Sequence, residues 1–217
     1  MTVSTRRERR EKQKRKRRRQ SQGGGRASDR TGTFITIAIV AIVLVGGVLL
    51  LRQVGAFDPA TASLDPNVGQ VAAGEVVGTK YANEGTGHVP DGQKVTYNTN
   101  PPTSGAHWGS PASWGIKDTQ LPDETTVHNL EHGGIVITYN QLSPDDLSKL
   151  KTLVRQMLAG GQYRKMILEP YDKLTDAKIA VSAWTWQVKL TSFDETQIVK
   201  FVRAHYQGAD APEPNQP

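Results

Sequence analysis

Histidines in two short motifs are the residues of this sequence whose types and spacing best suit chemistry. His128 and His132 are four residues apart in VHNLEHGG, a spacing that puts both side chains on one face of a helix or of a strand. His107 in PPTSGAHW and His88 in GTGHVPDG lie earlier, in segments rich in glycine and proline. The chain has no cysteine, so imidazole nitrogens rather than thiolates would hold a transition metal.

Three or four converging imidazoles form a ligand set that suits Cu(II), Zn(II) or Ni(II). We therefore predict a transition-metal site at His107, His128 and His132, with His88 as an optional fourth ligand, and we expect copper or zinc as the metal. The alternative interpretation is structural, because buried histidines also donate to backbone carbonyls and hold loops in place. Under that interpretation the protein would be a non-catalytic envelope module that docks a protein partner.

The sequence HNLEH also matches H-x-x-E-H, the inverted zinc-protease signature, in which two helical histidines hold zinc and the glutamate activates a water. Gly133-Gly134 and a predicted strand follow at once, so a helix here has room for about two turns. If the segment were a strand, Glu131 would point away from the two histidines. A zinc-dependent hydrolase is therefore an alternative hypothesis, and we favour a role without catalytic residues.

Three segments carry a resemblance to a known family. NPPTSGAHW, VHNLEHGGIVITY and AWTW resemble the pattern of a bacterial family called domain of unknown function 3105, over roughly residues 78–205. The resemblance implies a membrane-anchored domain that faces outward. It implies no established activity, so the chemistry of the histidines has to be argued from the residues themselves.

The elements that position these motifs are clearest from residue 134 onward. The predicted order is strand, helix, strand, strand, helix, in which a helical crossover makes the first two strands parallel and the third antiparallel. We therefore expect an α+β fold, a small mixed sheet with helices on one face. Trp184 and Trp186 are expected on one face of the third strand. The five elements are Gly134–Tyr139, a helix capped by Ser143 and ended by Gly160, Arg164–Glu169, Lys178–Leu190, and a helix that begins at Ser192.

A long apolar segment predicts a membrane anchor. From Thr33 to Leu51 the sequence carries no charged residue, and as a helix it would be roughly 28 Å long, close to the thickness of a bilayer core. Residues 1–30 hold 13 basic side chains, so the positive-inside rule puts the N-terminus in the cytoplasm and the C-terminal domain outside. We predict a retained single-pass helix in the cell membrane rather than a cleaved signal peptide, whose apolar region is usually shorter.

These features divide the chain into five predicted segments. The net charge is +10 in residues 1–30 and −4 in residues 31–217, so the basic character belongs to the N-terminal tail. No aromatic residue interleaves with the basic run, so we expect the tail to contact anionic lipid rather than nucleic acid. The segments are a basic cytoplasmic tail (1–30), a transmembrane helix (31–52), a linker (53–74), an extracytoplasmic globular domain (75–208) and a disordered tail (209–217).

Overall fold

The computed structural model describes residues 64–217 together with residues 11, 14 and 15. The predicted transmembrane helix (31–52), the first part of the linker and most of the basic tail lie outside the described residues. Among the residues that are described, no helix has the length and apolar character needed to cross a membrane.

Residues 64–217 contain eight strands and three helices. The strands are β1 (Thr79–Lys80), β2 (His88–Val89), β3 (His107–Trp108), β4 (Gly115–Ile116), β5 (Ile135–Tyr139), β6 (Met166–Pro170), β7 (Ile179–Ala183) and β8 (Trp186–Leu190). The helices are α1 (Asp123–Glu131), α2 (Pro144–Ala159) and α3 (Glu195–His205).

Six of the strands form a mixed sheet in the order β1-β8-β7-β5-β6-β4, and β2 and β3 form a separate parallel pair. Strand β5 is parallel to β6 and antiparallel to β7. The predicted α+β class and the relative directions of these strands are therefore confirmed. The sheet is larger than expected, because β1, β4 and β8 extend it at its two edges.

Helices cover both faces of this sheet, which corrects the prediction that they lie on one face. Ile135 and Ile137 of β5 pack into the main core with α2 and α3, the two helices that the sequence predicts. Val136, between them, points to the opposite face and packs with Val127 and Leu130 of α1. Side chains alternate along a strand, so β5 is buried from both sides.

The prediction of one long strand over Lys178–Leu190 is wrong. The chain reverses after Ala183, and β7 and β8 pair as an antiparallel hairpin. Thr185 in the turn has a φ of +63°, a left-handed conformation that is uncommon for a β-branched residue. The reversal also separates the two tryptophans, since Trp184 packs on the α1 side of the sheet and Trp186 on the α2 and α3 side.

Local capping signals set the starts of α2 and α3. The Ser143 hydroxyl accepts a hydrogen bond from the Asp146 backbone N–H at 3.1 Å, as predicted for the cap of α2. The cap of α3 is Asp194 rather than the predicted Ser192. The Asp194 carboxylate accepts from the backbone N–H and the side-chain amide of Gln197, at 3.0 and 2.8 Å, so the acidic residue closer to the helix satisfies its first turn.

Both ends of residues 64–217 pack against the domain, which differs from the prediction of a spacer and an unpacked tail. At the N-terminal end, Leu64, Val68 and Val71 pack against the main core. At the C-terminal end, Ala211 is 9% exposed and joins the cluster formed by α1 and the sheet. The Lys165 ammonium donates to the Pro214 carbonyl at 2.9 Å, so this segment is held by polar contacts as well.

The junction between α1 and β5 leaves no room for a side chain at Gly134. A Cβ added there would lie 2.5 Å from the Trp114 ring and 2.8 Å from the Asn129 carbonyl oxygen. We expect Gly134→Ala to lower the free energy of unfolding by about 1–3 kcal/mol, because the backbone itself must shift. Urea denaturation measures this. Gly109→Ala is the control, since its added Cβ meets no atom of the described residues within 4 Å, and equal losses in both variants would contradict the account.

Candidate metal centre

Two elements bring the histidine motifs together. The parallel pairing of β2 with β3 places His88 directly opposite His107, with their ring centroids 4.8 Å apart. Helix α1 carries His128 and Glu131 in its last turn, where a separation of three residues puts both side chains on one helix face. The short strand pair and the end of the helix therefore supply one polar cluster from two distant parts of the sequence.

His88, His107, His128 and Glu131 each offer a ligand atom, and these four atoms all lie within 4.8 Å of one another. Two nitrogen ligands of one tetrahedral zinc ion lie roughly 3.3 Å apart, so small ring rotations would bring these groups to coordination distance. His107 is fully buried, whereas the His88 side chain is 54% exposed. The cluster can hold a metal ion, and it opens to solvent on the side of His88.

Hydrogen bonds fix the orientation of two of the rings. The Nδ1 atoms of His107 and His128 lie 2.7 Å from the carbonyl oxygens of Gly105 and Trp108, respectively. A carbonyl oxygen only accepts, so Nδ1 of each ring carries a proton and donates it. In the neutral rings the lone pair then lies on Nε2, which faces the cluster. Histidine ligands of metals in proteins typically have this arrangement.

The Nε2 atoms of His107 and His128 each face another acceptor at hydrogen-bond distance. His107 Nε2 lies 3.0 Å from the Glu131 carboxylate, and His128 Nε2 lies 3.1 Å from His132 Nε2. Two lone pairs repel each other at such distances unless a proton or a metal ion lies between them. Burial lowers the pKa of His128, and the nearby His132 and His107 lower it further against the opposing effect of the Trp108 carbonyl. A second proton on His128, at Nε2, is therefore disfavoured.

The structure brings together His88, His107 and His128 from the predicted ligand set, but it groups His132 differently. His132 forms a second cluster with Glu131 and Glu213, whose ligand atoms also lie within 4.8 Å of one another. Glu131 was expected as a catalytic base or as a structural partner of a histidine and not as a metal ligand, although its position three residues after His128 signals a shared helix face. No sequence signal marked Glu213, because the surrounding ADAPEPNQP is polar and rich in proline.

Helix α1 carries only part of the inverted zinc-protease signature, because it spans nine residues and ends at Glu131, which leaves His132 as its C-cap residue. The Glu131 carboxylate lies among the ligand atoms, 3.0 Å from His107 Nε2, and can serve as a fourth ligand. A catalytic zinc ion keeps one position open for water, and four protein ligands would fill a tetrahedral site. The geometry therefore favours a site that only binds an ion over the hydrolase site that the signature predicts, in which the glutamate activates a water.

The ionisable side chains of His205 and Glu169 also lie inside the domain but belong to neither cluster. His205 of α3 has its Nε2 2.7 Å from the Val77 carbonyl oxygen, which fits a histidine with a structural role. Glu169 of β6 is 1% exposed and accepts a hydrogen bond from the Leu121 backbone N–H at 2.5 Å. Burial raises the pKa of Glu169 to about 7, and the Leu121 hydrogen bond only partly opposes this shift.

The raised pKa of Glu169 makes stability depend on pH. The folded chain keeps this proton up to about pH 7, whereas an unfolded chain loses it near the ordinary value of 4.5. The contribution of Glu169 to stability is thus fully present below pH 4.5 and is lost as the pH rises through about 7. We expect Glu169→Gln to gain up to about 3 kcal/mol relative to wild type across this window.

Denaturant unfolding of the metal-free protein from pH 4.5 to pH 8 measures that difference. Glu195→Gln, at an exposed carboxylate, is the matched control and should not show this gain. A constant difference between Glu169→Gln and wild type over this range would contradict the account.

Comparison with known proteins identifies the family of the chain. A family model described as protein of unknown function (DUF3105) matches residues 88–217. The matched region begins at His88 and includes every residue of both clusters. No curated protein and no solved structure shows significant similarity to the chain. Because the matched region is more than half of its length, the chain belongs to the DUF3105 family.

Proposed function

We propose that this domain binds one divalent transition-metal ion, Zn²⁺ or Cu²⁺, through His88, His107, His128 and Glu131, and that binding rather than catalysis is its function. The contact between His107 Nε2 and the Glu131 carboxylate, 3.0 Å long and buried, carries this proposal. With Nδ1 of His107 bonded to the Gly105 carbonyl, an ion between Nε2 and the carboxylate satisfies both acceptors.

The ligand set supports zinc or copper. Three imidazole nitrogens and one carboxylate oxygen complete a tetrahedral zinc site, with bonds of roughly 2.0–2.2 Å. Imidazole and carboxylate also suit Cu(II). The positive charge of the ion offsets the charge of Glu131, a side chain only 4% exposed, whose burial would otherwise be costly. The half-exposed His88 ring gives the ion a path to and from solvent.

Metal content tests this proposal directly. The full chain, purified in detergent without a polyhistidine tag, is loaded with one equivalent of Zn²⁺ or Cu²⁺, desalted and measured by elemental analysis. We expect about one ion per wild-type chain and nearly complete loss in His107→Ala and His128→Ala, because each variant removes a nitrogen ligand from a four-ligand site.

His205→Gln provides the control, since it removes an imidazole of the same chain that bonds the Val77 carbonyl and lies outside both clusters. It should retain the ion. Far-UV circular dichroism checks that every variant is folded. Retention of the ion by folded His107→Ala and His128→Ala, or no retention by the folded wild type, would overturn the proposal.

We further propose that residues 31–52 hold this domain at the outer face of the cell membrane, with the basic tail against anionic lipid in the cytoplasm. The support comes from the sequence, in which an uncharged segment of bilayer length follows 13 basic residues. The metal-binding domain would then work outside the cytoplasm, where it meets ions in the surrounding fluid.

A charge inside the apolar segment tests this anchoring. An aspartate at the centre of a membrane helix costs about 2.5–3.5 kcal/mol, so we expect Val43→Asp to shift the chain from the membrane fraction towards the soluble fraction after an alkaline wash. Val76→Asp, at a valine that lies beyond the segment and is 74% exposed, should leave the distribution unchanged. Protease added outside intact spheroplasts should digest the wild-type domain. Resistance to that protease, or equal behaviour of the two variants, would contradict the proposed topology.

A further inference from the structure

The C-terminal segment, residues 206–217, is bound to the end of α1. The backbone N–H of Gln207 donates to the Gly133 carbonyl at 2.8 Å, and the backbone N–H of Glu213 donates to the Glu131 carbonyl at 3.0 Å. The Lys165 ammonium connects the C-terminal segment to the end of α1, since it donates to the carbonyls of His132 and Pro214 at 3.1 and 2.9 Å. These contacts hold the Glu213 carboxylate beside the second cluster, which His132 and Glu131 complete.

His132 faces acceptors through both of its ring nitrogens. Its Nδ1 lies 3.0 Å from the Pro217 backbone oxygen, which only accepts, so Nδ1 is the nitrogen that donates. Its Nε2 lies 3.1 Å from His128 Nε2 and 3.6 Å from the Glu213 carboxylate. With His128 Nδ1 donating to the Trp108 carbonyl, His132 Nε2 is surrounded by lone pairs and an anionic oxygen. This environment suits a cation.

Glu131 belongs to both clusters. A carboxylate has two oxygens and can bridge two ions, and metal ions in two-metal sites lie roughly 3.5–4 Å apart. His128 Nε2, a proposed ligand of the first ion, and His132 Nε2, a proposed ligand of the second, lie only 3.1 Å apart, so ions bound to these two nitrogens would be close neighbours. One ion alone satisfies the first cluster and leaves Nε2 of His132 facing the Glu213 carboxylate.

We propose that a second divalent transition-metal ion binds at Glu131, His132 and Glu213, so that Glu131 bridges a two-metal centre. This inference rests on the proposed function, because the bridging carboxylate is a ligand of the first ion. Three protein ligands leave a coordination position on the second ion, and the half-exposed Glu213 side chain opens this position to water. The second ion therefore exchanges with solvent more readily than the first.

Copper titration of the full chain in detergent, without a polyhistidine tag, tests the two-metal centre. One equivalent of Cu²⁺ should give the electron paramagnetic resonance spectrum of an isolated ion. A second equivalent should also be retained, and a half-field signal should appear because two Cu²⁺ ions at roughly 4 Å couple magnetically. Glu213→Gln should remove the half-field signal and weaken binding of the second equivalent at least tenfold, while the first equivalent is retained.

Glu195→Gln, which changes an exposed carboxylate at the start of α3, should keep both ions and the half-field signal. His132→Gln should behave like Glu213→Gln. Retention of only one ion by the wild type, with loss of that ion in His107→Ala, would overturn the second position and leave the proposed function standing. Two ions whose binding does not respond to Glu213→Gln or His132→Gln would also overturn it. A folded wild type that retains no ion would overturn both proposals.

Discussion

Burial of the Glu131 carboxylate against His107 is the constraint on which the rest of the domain depends. Glu131 is 3% exposed and His107 is fully buried, so neither group has water to solvate its charge or its lone pairs. An uncompensated carboxylate in a protein interior is costly, and a metal ion or a proton is the usual compensation. His107 already donates from Nδ1 to the Gly105 carbonyl, so the balancing charge has to lie on the Nε2 side.

The sheet supports α1, the helix that carries two of the cluster's side chains. Val127 and Leu130 are buried against Val136 and Ile167, which lie on the face of the sheet opposite α2 and α3. Apolar contacts of this kind hold one side of the short helix and leave its other side to carry His128 and Glu131 towards β2 and β3. The ligands therefore sit on an element whose position is fixed by packing rather than by the ligands alone.

Strong local signals made part of this architecture predictable. Ser143, Pro144 and a regular apolar stripe define α2, and β5 and β6 are short β-branched or apolar strands on either side of it. Helix α1 gives no such signal, because five of its seven buried residues are polar and, among the described residues, no side chain caps its first turn. The β7–β8 hairpin was missed for a related reason: its turn at Trp184-Thr185 contains none of the usual turn residues.

The candidate site was predictable only as a set of residue types. The spacing of His128 and His132 places both on one face, and the structure bears this out at 3.1 Å between their Nε2 atoms. Spacing does not reveal which groups accept hydrogen bonds from the Nδ1 atoms of the two rings. These are the oxygens of Trp108 and Pro217, and they orient the two histidines towards different clusters. The position of Glu213 beside the second cluster depends on the packing of residues 206–217, which a polar and proline-rich composition does not indicate.

X-ray absorption spectroscopy of the full chain carrying one equivalent of Zn²⁺ tests the central claim most directly, because it reports the ligands of the ion. Three imidazoles and one carboxylate oxygen at roughly 2.0–2.2 Å are the result that this account predicts. The imidazole rings are counted from their outer-shell scattering. A shell made up mainly of oxygen, with fewer than two imidazoles, would contradict it and return the histidines to a purely structural role.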